Sequence, residues 1–315
     1  MNHQTLLVDF KAGKRSALAR MITLVDNEEH EGLEFLKENY DKRNDSFRLG
    51  ITGPPGVGKS SLMNHLIEKF AQKYGKVGVI AIDPSSPFTG GALLGDRLRM
   101  NKLYDYENVF VRSLASRGSL GGLSTSTENV AQVMEIYGMD IVLIETVGVG
   151  QSELDVMEIT DAVAVVLVPE SGDSIQAMKA GLMEIGDIFI VNKSDREGSD
   201  RAVEFIKSSL SFKKANEARD VPVIKTSSLK DENIDLLVSE IEKTKEYLTE
   251  SGKITEKRKN RREKEVRDLI RDMFIKSIDK YIKNMENIDA SPYEKAKSIM
   301  EKTGLNITED LWKEK

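Results

Sequence analysis

The stretch GITGPPGVGKSS, residues 50–61, decides the fold of this chain. From Gly53 to Ser60 it fits the pattern G-x-x-x-x-G-K-S/T. An apolar run precedes it and the amphipathic segment SLMNHLIEKF follows it, so the sequence predicts a strand, a tight loop and a helix. Because glycine has no Cβ, the backbone N–H groups of such a loop can turn towards phosphate oxygens. The pattern predicts a loop that binds the phosphates of a nucleotide.

The residues of this loop have separate expected roles. We expect the Lys59 ammonium to reach the outer phosphates and the Ser60 hydroxyl to ligate Mg²⁺. Gly58 opens the helix, whose first N–H groups also favour anions. The predicted nucleotide-binding residues of the loop are Gly53, Pro54, Pro55, Gly56, Val57, Gly58, Lys59, Ser60 and Ser61.

Beyond the loop, short apolar runs alternate with longer amphipathic segments. This alternation predicts an α/β fold, with a doubly wound, mostly parallel sheet and helices on both of its faces. The predicted strands are FRLGIT (47–52), KVGVIAI (76–82), NVFVRSL (108–114), DIVLIE (140–145), AVAVVLV (162–168), DIFIVN (187–192) and VPVIKT (221–226). The predicted helices of this region lie near residues 59–74, 125–137, 196–210 and 231–249.

The sequence predicts three parts. Residues 1–44 form an N-terminal helical extension, since apolar residues such as Met21 and Val25 recur there at helical spacing. Residues 45–250 form the nucleotide-binding domain, or G domain. Residues 251–315 form a charge-rich arm, in which an apolar stripe predicts an amphipathic helix outside the sheet.

The composition narrows the classes of function. The 315-residue chain has a net charge of −6 and a pI near 5.4, which argues against nucleic-acid and anionic-membrane partners. It contains no cysteine, which excludes disulfides, thiolate metal ligands and cysteine nucleophiles. The N-terminus lacks the apolar core of a signal peptide, and the longest apolar run is too short to span a bilayer. We therefore expect a soluble cytoplasmic protein.

The tetrapeptide NKSD, which ends at Asp195, bears on the choice of base. The Asp195 carboxylate could accept hydrogen bonds from the ring N–H and the exocyclic amine of guanine, whereas adenine offers neither donor in this arrangement. Asn192 and Lys193 would support the loop and pack on the base. Ser227 and Ser228 follow the next apolar run, where backbone N–H groups could meet the guanine carbonyl, although an ordinary turn explains them equally well. The pattern favours GTP over ATP.

Carboxylates near the ends of other predicted strands are candidates for the metal site and for positioning the attacking water. Glu145 starts ETVGVGQSE, where a GTPase usually carries Asp-x-x-Gly, and Gly148 would sense the γ-phosphate. Asp83 ends the strand after the loop helix, at the edge where such sheets bind ligands, and Asp96 follows in a glycine-rich segment. A surface glutamate and an Asp-Pro turn are the alternatives without chemistry. The predicted metal ligands are Ser60, Asp83, Asp96 and Glu145.

Taken together, GPPGVGKS, AIDPSSPFTGGALLGDRLRM, IETVGVGQSE, ESGDSIQAMKAG and VNKSD resemble the MeaB/ArgK family of P-loop GTPases. Members of that family carry Glu instead of Asp in the motif that contains Glu145 here. The resemblance covers nearly the whole chain and includes KAGKRSALARMITLVDN, residues 11–27. It implies a P-loop NTPase of the SIMIBI class with N- and C-terminal helical extensions.

The resemblance also implies a function. Family members are homodimeric GTPases that use GTP and Mg²⁺ and act as chaperones of an adenosylcobalamin-dependent acyl-CoA mutase, most often methylmalonyl-CoA mutase. They gate loading of the cofactor and protect the mutase. Segments 83–99, 145–155 and 168–179 match the three switches of the family, and the C-terminal helices match its dimerisation arm.

The same motif positions imply the catalytic residues, which are Lys59, Asp83, Asp96, Glu145 and Lys179. For Lys179, position in the sequence alone favours a charge on a helix surface, and only the resemblance places it in a mobile segment near the nucleotide.

Other functions stay open at this point. A nickel-insertion or other metallocentre-assembly GTPase would need a His-rich tract or paired Cys, and the chain has three scattered His and no Cys. A protein-targeting GTPase would carry a Met-rich or basic RNA-binding module, which the acidic charge disfavours. A kinase or ATPase associated with basic amino-acid transport would prefer ATP, which NKSD disfavours. A nucleotide-regulated scaffold would bind GTP without partner-stimulated turnover.

Overall fold

The computed structural model describes residues 3–84, 106–116, 125–146, 152–170, 180–211, 219–283 and 291–303. Within these residues, seven strands form one sheet in which every pairing is parallel. The strands are β1 (Phe47–Thr52), β2 (Val77–Pro84), β3 (Val109–Ser116), β4 (Ile141–Glu145), β5 (Ala162–Leu167), β6 (Ile188–Val191) and β7 (Val223–Lys225). Their order in the sheet is β3-β2-β4-β1-β5-β6-β7. The predicted parallel α/β fold is confirmed.

Helices precede the sheet and connect its strands. The described helices are α1 (His3–Lys11), α2 (Arg15–Asp26), α3 (His30–Asn39), α4 (Lys59–Lys73), α5 (Thr125–Ile136), α6 (Ser152–Ile159), α7 (Ala180–Ile185), α8 (Ser199–Ser211), α9 (Ile234–Glu250), α10 (Lys253–Lys283) and α11 (Pro292–Thr303). The first three are separated by turns at Gly13 and Glu28, whose φ angles of +76° and +54° no helix can continue through.

Both faces of the sheet are buried, which explains the unbroken apolar sequences of its strands. On β1, Phe47, Leu49 and Ile51 pack into an apolar cluster with residues of α4 and α9. On the opposite face, Val142 and Ile144 of β4 belong to a second apolar cluster, which includes residues of α1, α2, α3, α5, α6, α7 and α8. Because successive side chains of a strand point to opposite faces, one strand contributes to both layers of this doubly wound fold.

Arg48 of β1 is a charged residue whose side chain lies on this second face of the sheet, against α5. It is fully buried, and its guanidinium contacts Glu128 Oε2 at 2.7 Å and Glu135 Oε1 at 2.6 Å, both on α5. Its backbone N–H donates to Asp161 Oδ2 at 3.0 Å. Burial alone would lower the pKa of Arg48, but the two glutamates more than offset that effect and hold the pKa above its ordinary value. The buried charge therefore joins β1 to α5.

The chain divides into two compact units, Met1–Lys257 and Arg258–Lys315. The first contains the whole sheet and α1 to α9. In the second, α10 carries a row of apolar side chains that are each at least 40% exposed, namely Val266, Leu269, Ile270, Met273, Phe274 and Ile275. None of the described helices combines enough length with enough apolar sequence to cross a membrane.

Candidate nucleotide-binding site

The loop that joins β1 to α4 lies at the carboxyl edge of the sheet. From β1 the chain first builds β2, β3 and β4 on one side, and afterwards β5, β6 and β7 on the other. The carboxyl edge at such a reversal is where open α/β sheets bind ligands. Glu145 at the end of β4, Asn192 after β6 and Ser227 after β7 reach the same edge. The topology therefore gathers residues that are far apart in the sequence.

Gly53 and Gly58 have no room for a side chain. Their φ angles are +139° and +94°, in the region that favours glycine. A Cβ on Gly53 would lie 2.1 Å from the carbonyl oxygen of Val166, and one on Gly58 would lie 2.5 Å from Asn192 Nδ2. The loop consequently packs against β5 and against the residue that follows β6.

The Lys59 side chain is buried within the loop. Its ammonium donates hydrogen bonds to the carbonyl oxygens of Gly53 at 2.7 Å and Pro54 at 3.0 Å. Lys59 is also the first residue of α4, so the charge of its ammonium adds to the positive end of the helix dipole. Backbone N–H groups, dipole and ammonium together favour a bound anion such as a phosphate group.

Ser60 and Glu145 present two oxygen atoms to one point in front of the loop. The Ser60 hydroxyl donates to Glu145 Oε1 at 2.7 Å. Glu145 is held there because the next residue is fixed to β1: Thr146 N–H donates to Ile51 O at 3.1 Å. One hydroxyl and one carboxylate are hard ligands that suit Mg²⁺, which binds few protein groups and keeps several waters. The described residues, which include neither the Asp83 side chain nor Asp96, contain no group of three or more His, Cys, Asp or Glu side chains that could hold a metal ion.

The Asn192 side chain ties the phosphate loop to the segment after β7. It is 1% exposed, and its Nδ2 donates to Val57 O at 2.9 Å. Its Oδ1 accepts hydrogen bonds from Thr226 Oγ1 at 3.2 Å, Ser228 N at 3.1 Å and Ser228 Oγ at 2.9 Å. The side-chain amide supplies both the donor and the acceptor that these contacts need, whereas an ionised Asp has no donor and Leu has neither group.

Asp195 and Lys193 lie on the same loop as Asn192. The Asp195 carboxylate accepts a hydrogen bond from Ser227 Oγ at 2.6 Å, and this bond is the main cause of a pKa below the ordinary value for Asp. The carboxylate therefore stays ionised and ready to accept further N–H donors. Lys193, at a φ of +57°, donates to Gly56 O at 2.7 Å and forms a second link to the phosphate loop.

Some predicted site residues are not part of this network. The backbone of Asp83 pairs with Ala115 near the end of β2, but its side chain lies outside the described residues. Three further predicted residues lie outside them altogether: Asp96, Gly148 and Lys179. Their expected contributions to metal binding and hydrolysis stay predictions.

Two residues outside the predicted set of site residues join the network. Thr226 bonds to Asn192, and it stands in the stretch TSS, residues 226–228, that the sequence interpretation singled out. His65 of α4 lies with Nε2 2.8 Å from Ser228 O, across a separation of 163 residues. No sequence pattern marks such a distant contact.

Comparison with known proteins gives the family. The family model described as methylmalonyl-CoA mutase-associated GTPase MeaB matches residues 18–283. A protein of Pyrococcus horikoshii that is named as a GTPase is 42% identical over 94% of this chain and 97% of its own length. Escherichia coli GTPase ArgK is 36% identical over 79% of this chain and 77% of its own. The mitochondrial methylmalonic aciduria type A homolog of Caenorhabditis elegans is 34% identical over 90% of this chain and 75% of its own length.

A solved structure agrees with the fold. The crystal structure of an LAO/AO transport system kinase superposes with a TM-score of 0.72 at 25% identity, covering 96% of this chain and 99% of that one. The family model spans most of the chain, including the phosphate loop, the Glu145 motif and NKSD. This chain therefore belongs to the MeaB family of methylmalonyl-CoA mutase-associated GTPases.

Proposed function

We propose that this protein hydrolyses GTP to GDP and phosphate, and that an adenosylcobalamin-dependent acyl-CoA mutase senses which nucleotide is bound. The Asn192 network carries the nucleotide part of the proposal, because one buried amide joins the phosphate loop to the segment that would select the base. Family membership supports the identity of the partner.

Guanine is the base that fits Asp195. Its ring N–H and exocyclic amine are adjacent donors, and an ionised carboxylate accepts from both. Adenine has no donor pair at that edge, so an adenine nucleotide would give the carboxylate no hydrogen bonds from its base. A site built to bond a polar group rejects analogues that lack it more strongly than an apolar site does.

The phosphate groups would meet Lys59, Ser60 and Glu145. On binding, the Lys59 ammonium would exchange its contacts with Gly53 and Pro54 for oxygens of the β- and γ-phosphates. Ser60 and Glu145 would hold Mg²⁺, which supplies positive charge to the phosphate oxygens during transfer. Glu145 is one methylene longer than the Asp of most GTPases, and its direct contact with Ser60 supports a role at the same ion.

The attacking water would be oriented by Asp83 and Asp96, with Gly148 and Lys179 near the γ-phosphate. These residues belong to segments 83–99, 145–155 and 168–179, which would act as switches. No arginine finger is assigned, so we expect slow hydrolysis by the protein alone. A partner that orders the switches would accelerate it by roughly 10³–10⁵-fold.

The partner that the family suggests is methylmalonyl-CoA mutase or a related acyl-CoA mutase. In this role the protein would gate loading of adenosylcobalamin and protect the mutase. Dimerisation through residues 251–315 belongs to the same proposal, and the exposed apolar row on α10 supports it, because contiguous apolar surface usually marks an interface. The net charge of −6 supports the absence of nucleic-acid and membrane partners.

The test is a turnover assay with GTP and with ATP, in the presence and absence of the mutase from the same organism. We expect turnover of GTP only, stimulated by the mutase, and loss of turnover in Lys59→Ala and Ser60→Ala. The matched control is Lys73→Ala, at the other end of α4, which should keep the parental rate. Parental turnover by Lys59→Ala would refute the site, and absence of both stimulation and co-elution would refute the partner.

A kinase associated with amino-acid transport is the second candidate, because the LAO/AO transport system kinase shares the fold. It would use ATP and transfer phosphate to a protein. The nucleotide preference measured in the same assay decides between the two.

A further inference from the structure

We infer that His65 is a positioning residue for guanine recognition, an inference that rests on the proposed function. His65 fastens the turn after β7 to α4, the helix that follows the phosphate loop. In doing so it sets the direction of a backbone N–H group that would contact the oxygen on guanine.

The turn from Ser227 to Glu232 behaves as one unit because its own backbone closes it. Ser227 N donates to Glu232 O at 3.2 Å, and Glu232 N donates to Ser227 O at 3.1 Å. Lys230 N adds a third bond to Ser227 O at 3.2 Å, and Asp231 adopts a φ of +55°. Since the turn is closed in this way, contacts with its outer residues decide where its N–H groups point.

Side chains from two elements hold the turn in place. Asn192 and Asp195, both after β6, hold Ser228 and Ser227. His65 holds the other side from α4, with Nε2 2.8 Å from Ser228 O. Its Nδ1 lies 3.2 Å from Asp231 Oδ1, a contact that becomes an ion pair only when the ring is protonated. The carbonyl of Ser228 can only accept a hydrogen bond, so His65 Nε2 is the donor.

This contact fixes more than the carbonyl. The peptide group that joins Ser228 to Leu229 is planar and trans, so its N–H points opposite to its C=O. By holding Ser228 O, His65 sets the direction of the Leu229 N–H. The Leu229 side chain is 88% exposed and cannot anchor the peptide by packing. Because Ser228 N is already bonded to Asn192, we assign contact with the base to the next N–H along the turn, that of Leu229.

The inference predicts a specific pattern among bases. Guanine and hypoxanthine, the base of IDP, share the exocyclic carbonyl oxygen, while adenine carries an amine at the same position. Displacement of the Leu229 N–H should therefore weaken the binding of GDP and of IDP by the same factor and leave the binding of ADP unchanged. Loss of the Asp195 carboxylate should weaken the binding of GDP more than that of IDP, since IDP lacks the exocyclic amine.

The experiment is calorimetric titration of the full chain with GDP, IDP and ADP. We expect His65→Ala to raise the Kd of GDP and IDP equally, by roughly three- to tenfold, the effect of one lost hydrogen bond. His65→Gln should restore binding, because its amide nitrogen can occupy the position of Nε2, whereas His65→Asn is too short. The matched control is Lys69→Ala, which removes a 2.7 Å contact of the same helix with Asp235 of α9 and should change no Kd.

Three results would overturn the inference: an unchanged GDP affinity in His65→Ala, a His65→Gln variant that binds GDP as weakly as His65→Ala, or a ratio of GDP to IDP affinity that changes in His65→Ala. Asp195→Asn separates this outcome from failure of the proposed function. If the wild-type protein does not bind GDP, or if Asp195→Asn leaves its affinity unchanged, the proposed function itself is wrong.

Discussion

At the residue scale, the site depends on positions whose contacts suit one particular residue type. Asn192 uses its donor and acceptor ends together, and Gly58 leaves the space in which that amide lies. The sequence predicted both positions, because the phosphate-loop and NKSD patterns are local. It could not predict the contact of His65 with Ser228, because neighbours in space across 163 residues leave no periodic signal.

Gly58→Ala should raise the Kd of GDP by at least roughly tenfold, because a Cβ would displace the Asn192 amide from Val57. The matched control is Gly252→Ala, outside the proposed site, whose φ of +74° is similar but whose Cβ would meet no atom within 4 Å. It should cost only the strain of a left-handed residue, about 1 kcal/mol of folding stability, and leave the Kd of GDP unchanged. Calorimetric titration checks the pair, and equal losses would contradict the explanation.

Ser227→Ala should move the acid limit of GDP binding to higher pH. The hydrogen bond from Ser227 is the main cause of the lowered pKa of Asp195, so the wild-type carboxylate stays ionised to a lower pH than an ordinary Asp. Guanine binding is then present above this pKa and is lost as the pH falls through it. Without Ser227 Oγ the pKa of Asp195 should rise towards the ordinary value for Asp.

The measurement is GDP affinity as a function of pH, with circular dichroism to confirm folding at each point. Ser208→Ala is the control, because that hydroxyl bonds only to its own helix at Phe205 O. The same acid limit in Ser227→Ala and in the wild-type protein would show that Asp195 does not govern binding.

At the scale of elements, the seven strands were predictable because both faces of a parallel sheet are buried and each strand is an apolar run. Their order was not predictable, since hydrophobic pattern carries no information about neighbours. Helices α6 and α7 were also missed, because eight and six residues are too few to show a helical period. Arg48 was placed in a strand, but its partners on α5 could not be inferred.

Arg48→Met should lower the free energy of unfolding by about 3–5 kcal/mol, because it leaves Glu128 and Glu135 buried without their cation. Arg196→Met is the control, since the ion pair of Arg196 with Glu170 is half exposed and should contribute about 0–1 kcal/mol. Urea denaturation measures both. Adding Glu128→Gln and Glu135→Gln should recover part of the loss, and similar values for the two arginines would refute the assignment.

At the scale of the whole molecule, nucleotide binding and dimerisation are proposed for different compact units. The first contains the nucleotide site, and the second carries the exposed apolar row of α10. The sequence predicted that row from its helical spacing. It gave no direct evidence of the protein that the row contacts, because an amphipathic pattern shows a buried face and not its partner.

Leu269→Glu combined with Met273→Glu should convert a dimer into a monomer, because both apolar side chains, 61% and 71% exposed, would carry charge into the interface. GDP affinity should not change. Arg271→Glu is the matched control, with the same change of two charge units on the same helix. Light scattering after size exclusion gives the mass. A monomeric wild-type protein, or dissociation by the control alone, would refute dimerisation through this row.

The position of β1 in the sheet has a consequence for biosynthesis. Its two neighbours are β4 and β5, so the strand that starts the phosphate loop has no partner until Glu145 has left the ribosome and lacks its second partner until Leu167 has followed. Pairings this distant along a chain form slowly and expose apolar edges in the meantime. The turn that would select guanine is completed only at Glu232, later still. A nascent chain therefore cannot use its nucleotide as an early folding template, and GTP can stabilise only a nearly complete G domain.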